Sequence, residues 1–124
     1  MTTSEMVFDY LKQQGLCPDM KDEVIVFKYQ MLTFIYHRDD EDEKFFRLSM
    51  PGIFDVTEDN RVPVLEAVNE VNRQIKAVKA IVPIDDVWLS TEILMDSTPV
   101  LNDFIPRIME HLMAARKRFY DIIG

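Results

Sequence analysis

Histidine, cysteine and clustered acids are the side chains of this sequence whose types could carry chemistry. His37 and His111 are its only histidines, and Cys17 is its only cysteine. A zinc site needs several such ligands, and nucleophilic catalysis needs a nucleophile, a base and an orienting group. Neither pattern is present, so we predict no metal site and no catalytic residue. We interpret His37, which precedes Arg38 and Asp39, as an exposed turn residue.

Five consecutive acids at residues 39–43 form the densest charge cluster of the chain. A calcium-binding loop would need alternating ligands and a central glycine, and this run has neither. We therefore interpret it as a solvated hairpin turn whose charges contribute little to stability. The chain has only three glycines, which leaves no glycine-rich loop to hold a phosphate and predicts no nucleotide cofactor.

Asn69 and Asn72 are three residues apart, hence neighbours on one surface of a helix. Asn72 borders the apolar stripe formed by Val68 and Ile75, and a half-buried amide needs hydrogen-bond partners. Ligand recognition is one reading of this pair. We favour the other, that they are structural amides tying the helix to a neighbouring strand or loop.

The elements that position these residues follow from apolar periodicity. Capping-box spacing between Thr2 and Glu5 begins a first helix, which Gly15 ends. A second helix begins near Pro63, and a third runs over residues 99–122, where Pro106 kinks it or confines its regular part to the C-terminal side. Five strands are predicted, at residues 24–30, 32–37, 44–50, 79–82 and 87–95.

The resulting order is α-β-β-β-α-β-β-α over one domain, residues 1–124. Short turns join consecutive strands, so we predict an α+β fold with an antiparallel sheet packed with helices. The last strand alternates Val87 and Leu89 with Trp88 and Ser90, so one of its faces is buried. Pro51 and Gly52 end or bend the third strand.

Aromatic residues in the first three strands occupy both strand faces. A sheet covered on one side should alternate polar and apolar residues, and these strands do not. Either helices cover both faces or a second chain covers one of them. We favour a second chain, hence a homodimer, because large apolar patches rarely stay bare. The candidate interface residues are Phe27, Tyr29, Phe34, Tyr36, Phe45 and Phe46.

The net charge of −8 excludes the basic stripe that nucleic-acid binding requires, and it disfavours an anionic membrane surface. No run of residues approaches the ~18 apolar positions of a membrane span. The N-terminus lacks the basic region of a secretory signal, so we expect a cytoplasmic protein.

Several segments resemble the YbjN-like bacterial family. Residues 66–73, which include Asn69 and Asn72, are similar to its Asn-x-x-Asn helix signature. Residues 32–48 resemble its aromatic hairpin, and the long terminal helix is also similar. Members are described as proposed sensory transduction regulators with a fold like that of type III secretion chaperones. The resemblance implies this fold, homodimers, and binding of extended segments of other proteins.

These observations predict a non-enzymatic protein-binding module, chaperone-like or regulatory, acting as a homodimer and holding a segment of a partner protein. Two alternatives stay open. One is a small-molecule sensor with a pocket between the sheet and the terminal helix, lined by Met95, Met109 and Met113. The other is an unrecognised hydrolase that uses the acids of residues 39–43.

Overall fold

A computed structural model describes residues 1–124 as three helices and one six-stranded sheet. The elements are α1 (Thr3–Gln13), β1 (Asp19–Met20), β2 (Val24–Tyr29), β3 (Leu32–His37), β4 (Phe45–Asp55), α2 (Arg61–Gln74), β5 (Lys79–Ile81), β6 (Asp86–Leu94) and α3 (Leu101–Ile123). The strands lie in the order β1-β2-β3-β4-β6-β5, and every neighbouring pair is antiparallel. The predicted α+β class is confirmed, and β1 is an addition to the predicted order.

Strands β2 and β3 form a hairpin with a two-residue turn. Tyr29 pairs with Leu32, and the intervening Gln30 and Met31 have φ angles of 51° and 66°. Two consecutive left-handed residues are the geometry of a type I′ turn, whose twist matches that of the strands. Asparagine and glycine normally occupy these positions, so this hairpin carries backbone strain at its tip.

Strand β4 continues past Pro51 and Gly52 to Asp55. Its register against β6 shifts between Met50 and Phe54, so the strand bends without ending. Gly52 has a φ of +54°, and a Cβ atom there would lie 3.2 Å from an Asp86 carboxylate oxygen. Both facts favour glycine at this bend.

Helix α3 is continuous through Pro106, which corrects the expectation that its regular part lies only C-terminal to that residue. A proline at this position removes a single backbone hydrogen bond, the one to Asn102, close to the helix start. The other end of α3 packs on the sheet, where Phe119 contacts Phe54 with ring centroids 5.4 Å apart. No helix has the length and apolarity to cross a membrane.

The apolar core lies between the three helices and one face of the sheet. It is one cluster of 26 buried residues drawn from all three helices and five of the six strands. Phe46 of β4 meets Phe104 of α3 edge-on at 5.2 Å, and Tyr36 of β3 lies against Phe46 at 5.3 Å. These contacts place the helices on a single side of the sheet.

The acidic run holds the N-terminus of α1. Glu43 accepts a hydrogen bond from the Thr3 amide at 2.6 Å, and the Thr3 hydroxyl donates to the Glu43 carbonyl at 2.7 Å. Hydrogen bonding from the side chain and the backbone of Thr3 lowers the pKa of the Glu43 carboxyl group. The run is exposed, as predicted. However, it is more than a solvated tip, because a carboxylate here satisfies a free amide at the positive end of a helix.

Asn72 protects the edge strand β5. Its side-chain amide donates to the Ala80 carbonyl at 3.0 Å, and its carbonyl oxygen accepts from the Ala80 amide at 2.6 Å. The side chain thus occupies the place of a further strand beside Ala80, which is the backbone contact that the sequence predicts for Asn72. Asn69 is exposed and forms no side-chain hydrogen bond. Of the two asparagines predicted as structural amides, only Asn72 therefore contacts a neighbouring strand.

Replacing Glu43 by alanine is expected to lower the melting temperature, because the first amide of α1 loses its acceptor. Glu41 is the matched control, since its carboxylate bonds to nothing in the chain. Thermal melts of Glu43→Ala and Glu41→Ala at pH 7 test the difference. The folded-state pKa of Glu43 lies below 4.5, so this stabilisation is full above that pH and disappears as the pH falls through the lowered value. Equal melts of the two variants would contradict the contact.

Replacing Asn72 by alanine is expected to reduce the free energy of unfolding by about 1–2 kcal/mol, because both Ala80 backbone groups lose a partner at once. Urea denaturation measures this change, and Asn69→Ala provides the control on the same helix. The prediction fails if the two alanine variants unfold at the same urea concentration.

Candidate functional site

The face of the sheet opposite the helices is the candidate site, and we call it the open face. Successive strand residues point to opposite sides, so the neighbours of the core residues belong to it. Its apolar members are half-buried, apart from the exposed Leu94, and none of them belongs to the core or packs against it. They are Val24, Val26, Ile35, Phe45, Ile81, Trp88 and Leu94.

Residues that pair across neighbouring strands form rows on the open face. The central row crosses five strands, from Val26 through Ile35, Ser49 and Ser90 to Lys79. Its middle consists of two serines that are fully buried, although no helix covers them. Larger side chains on both sides therefore enclose the two serine hydroxyls, and the centre of the face is small and polar.

A chain of three polar side chains runs along this centre. His37 Nε2 lies 2.8 Å from Ser49 Oγ, which lies 2.7 Å from Ser90 Oγ. The pKa of His37 is lowered to about 4, mainly by burial and also by the positive charge of Arg47, while the charge of Glu92 opposes the shift. The prediction that His37 is an exposed turn residue is therefore wrong. It is half-buried, because the end of β3 lies beside β4 rather than in solvent.

The His37–Ser49 pair resembles a base beside a nucleophile, but its surroundings do not suit nucleophilic catalysis. Ser49 is fully buried in the middle of β4, so a substrate carbonyl has no path to its oxygen. His37 has no hydrogen bond to a carboxylate that would orient the ring. The three side chains instead satisfy one another in a buried position, which such polar groups require.

The six aromatic residues predicted as an interface do not form one surface. Phe27, Phe34, Tyr36 and Phe46 are buried in the core, where the helices cover them, so they cannot contact a second chain. Phe27 stacks on Phe34 at 5.3 Å. Tyr29 is half-buried and packs against the core, and only Phe45 lies on the open face. The interface prediction is therefore wrong about which way these side chains point. The aromatic side chains of β2 and β3 lie on the face of the sheet that the helices cover.

Trp88 is the aromatic residue of the open face that the interface prediction omitted. It pairs with Ile81 across the β5–β6 ladder, and its ring lies 6.4 Å from that of His37. The signal was present in the sequence, because the alternation of β6 places Val87 and Leu89 inward and Trp88 outward. Tryptophan on an uncovered sheet face is typical of contact surfaces.

Charged side chains on the open face are incompletely paired. Lys79 and Glu92 form an ion pair with 2.5 Å between their nitrogen and oxygen atoms. Arg47 is the cross-strand neighbour of Glu92 but forms no ion pair, and its buried Nε has no hydrogen-bond partner. A buried guanidinium nitrogen without a partner costs free energy, and here the strand pairing of Arg47 imposes that cost.

A cavity of about 340 Å³ lies on the helix side, between α1, the β2–β3 turn and α3. We call it the tyrosine cavity. Its lining comprises two tyrosines, two methionines, a leucine, a proline and a rim of three polar residues, namely Tyr10, Gln14, Leu16, Tyr29, Gln30, Pro106, Met109, Glu110 and Met113. Met109 and Met113 line it, as the sensor alternative predicts, whereas Met95 lies elsewhere at the end of β6.

The remaining chemical side chains are scattered. His111 is half-buried on α3 and lines a separate groove with Thr91, Phe104 and Ile108. Cys17 is an exposed free thiol. No group of three histidine, cysteine, aspartate or glutamate side chains is placed to hold a metal ion.

His37 makes the stability of the fold sensitive to mild acid. Its pKa is about 4 in the folded chain and near 6.5 when unfolded, so only the unfolded chain binds the proton between these values. Stability is therefore full above pH 6.5 and decreases as the pH falls. We expect a loss of about 1 kcal/mol between pH 7 and pH 5, less than the full pKa difference implies, because solvent screens a half-exposed ring.

Urea denaturation at both pH values measures this loss. His37→Gln retains a hydrogen-bonding group without the titration and should remove most of the pH dependence. His111→Gln should retain it. The assignment is wrong if His37→Gln loses as much stability between the two pH values as the parent chain does.

Comparisons with known proteins place this geometry in a fold family. No model of a known protein family matches the chain, and no curated protein matches it. An uncharacterised protein of Methanothermobacter thermautotrophicus superimposes with a TM-score of 0.69 and 12% sequence identity, over 98% of this chain and 96% of its own. YbjN of E. coli, described as a candidate transcription regulator, gives a TM-score of 0.70 and 9% identity, over 94% and 88%. At such identities the likeness concerns architecture alone, and the chain has the YbjN-like fold that its sequence motifs predict.

Proposed function

We propose that the chain is a non-enzymatic protein-binding module, chaperone-like or regulatory, that forms a homodimer through its open face. One observation carries the proposal: the helices cover only one side of the sheet, while the other side presents half-buried apolar residues. Trp88 and Phe45 are the largest of these. Such a patch on a rigid sheet is the usual site of a protein contact.

Symmetry favours a second copy of the chain as the partner. A two-fold interface requires one self-complementary patch, and the open face carries both signs of charge. Arg47 lacks an ion pair, while Glu92 on the neighbouring strand is a carboxylate that a copy related by two-fold symmetry would supply. A two-fold copy would thus bring a carboxylate to the Arg47 guanidinium group, which has no ion pair within the single chain.

The size of the open face determines how tightly we expect the homodimer to associate. Six strands about 4.8 Å apart span roughly 24 Å, and six residues along a strand span roughly 20 Å, so the plan area is about 480 Å². A standard interface buries ~800 Å² on each partner. We therefore expect a weak dimer that dissociates on dilution, which would leave the same face available to a segment of another protein.

Two features support a role without catalysis. The His37–Ser49 pair lies in a buried row that substrates do not reach, and YbjN is described as a regulator rather than an enzyme. The net charge of −8 supports regulation through protein contacts rather than through a nucleic acid.

Sedimentation velocity from about 1 to 200 μM, the range suited to a weak dimer, tests the proposal. The parent chain should shift from monomer to dimer as its concentration rises. Ile35→Lys places a charge in the central row and should remain monomeric throughout. Leu65→Lys makes the same change on the outer surface of α2, where Leu65 is 44% exposed, and should dimerise like the parent.

Circular dichroism melts establish that both lysine variants fold. The flexible lysine stem lets the ammonium reach water, so Ile35→Lys is compatible with the monomer. A parent chain that stays monomeric at 200 μM would refute the homodimer. Dimerisation of Ile35→Lys equal to that of the parent would place the contact on another surface.

A further inference from the structure

The tyrosine cavity lies apart from the open face, so what it binds is independent of the homodimer. Its volume of about 340 Å³ falls within the range of small-molecule sites. Three separate parts of the chain enclose it: the end of α1 with the loop that follows, the tip of the β2–β3 hairpin, and α3.

The floor of the cavity is apolar and aromatic. Met109 is buried, and Met113 and Leu16 are half-buried beside it. The hydroxyl group of Tyr10 donates to the Asn102 side-chain oxygen at 3.0 Å, which fixes the ring in the wall. Burial raises the pKa of Tyr10, so the phenol remains neutral. Thioethers and aromatic rings together form a polarisable surface.

The rim carries polar groups that the chain itself does not use. Gln14, Gln30 and Glu110 line the cavity, and none of their side chains forms a hydrogen bond or ion pair within the protein. An apolar floor with a few unpaired polar groups converging on it is the usual composition of a ligand site.

Backbone strain is concentrated around the same cavity. Four residues other than glycine have positive φ angles, and three of them, Cys17, Gln30 and Met31, lie in the two loops that border it. Such conformations are unfavourable and tend to persist at ligand-binding positions, where geometry matters more than local stability. The strained hairpin tip is also what brings Tyr29 and Gln30 to the rim.

The charge of the lining identifies the ligand class. Glu110 is the only charged residue that lines the cavity, and no lysine or arginine does, so an anion would find no partner. Tyrosine faces attract organic cations, and a carboxylate at the rim adds a counter-charge. We propose that the tyrosine cavity binds a small organic ammonium ion that carries an apolar group, with its cationic end beside Glu110 and the tyrosines.

Methyl-labelled methionine NMR tests the proposal with three benzyl compounds that differ in charge. Benzyltrimethylammonium should shift the Met109 and Met113 methyl signals in a saturable way, and Met50 and Met95 serve as internal controls elsewhere in the core. Neutral benzyl alcohol should bind at least about threefold more weakly, the effect of one modest cation–π or ionic contact. Anionic phenylacetate should give no saturable shift.

Two variants on α3 separate the role of Glu110 from general charge. Glu110→Gln should reduce the affinity for benzyltrimethylammonium by about threefold and leave the affinity for benzyl alcohol unchanged. Asp121→Asn removes the same charge away from the cavity and should bind like the parent. Benzyltrimethylammonium that fails to shift Met109 and Met113 at millimolar concentration overturns the proposal. Equal affinities for benzyltrimethylammonium and benzyl alcohol would also overturn it. An equal loss of benzyltrimethylammonium affinity in Glu110→Gln and Asp121→Asn would overturn it as well.

The Ile35→Lys variant distinguishes this site from the open face. Its cavity is intact, so it should bind benzyltrimethylammonium like the parent whether or not the parent dimerises. Loss of binding in Ile35→Lys, with the fold retained, would mean that the cavity depends on dimerisation and would overturn its independence.

Discussion

The whole structure depends on one geometric constraint: a β-strand directs successive side chains to opposite faces, and the three helices cover only one of them. The inner side chains of β2 to β6 join the helices in a single core, and their neighbours are necessarily directed outward. A slip of one residue in β4 would place Phe45 in the core instead of Phe46. The same slip in β6 would place Trp88 in the core instead of Leu89. The open face is therefore a consequence of the same register that builds the core.

The outer side of a sheet can remain folded only if its polar groups are satisfied and its edges are protected. In the middle, His37, Ser49 and Ser90 pair with one another, which avoids leaving buried hydroxyl groups without partners. At the β5 edge, Asn72 occupies the hydrogen-bonding positions of Ala80. An unprotected edge is a template for uncontrolled pairing with other chains. Asn72 therefore leaves the open face, rather than the β5 edge, as the surface for the homodimer that we propose.

Local sequence patterns predict much of this fold. They do not predict the contacts between residues that are far apart in the sequence. The order of helices and longer strands, the alternation of β6 and the role of Asn72 follow from residue spacing. The bond between Glu43 and Thr3 joins residues 40 positions apart, and no local pattern encodes it. Periodicity does not give the direction of Phe27, Phe34 and Tyr36, because β2 and β3 both carry apolar residues on their two faces. His37 was misjudged for a related reason, since its serine partners lie on strands that only the folded sheet brings together.

The β2–β3 hairpin connects the two proposed sites physically. Val26 and Ile35 lie on its outer surface in the central row of the open face, while Tyr29 and Gln30 at its tip line the tyrosine cavity. Its six paired positions make the hairpin a stiff element, whereas its turn is strained. The tip lies beyond the paired positions that supply part of the dimer surface, so we expect a ligand in the cavity to leave dimerisation unchanged. By thermodynamic linkage, any effect of that ligand on dimerisation must be matched by an equal effect of dimerisation on ligand affinity. The strain at Gln30 and Met31 is likewise confined to the turn, outside the six paired positions of the hairpin.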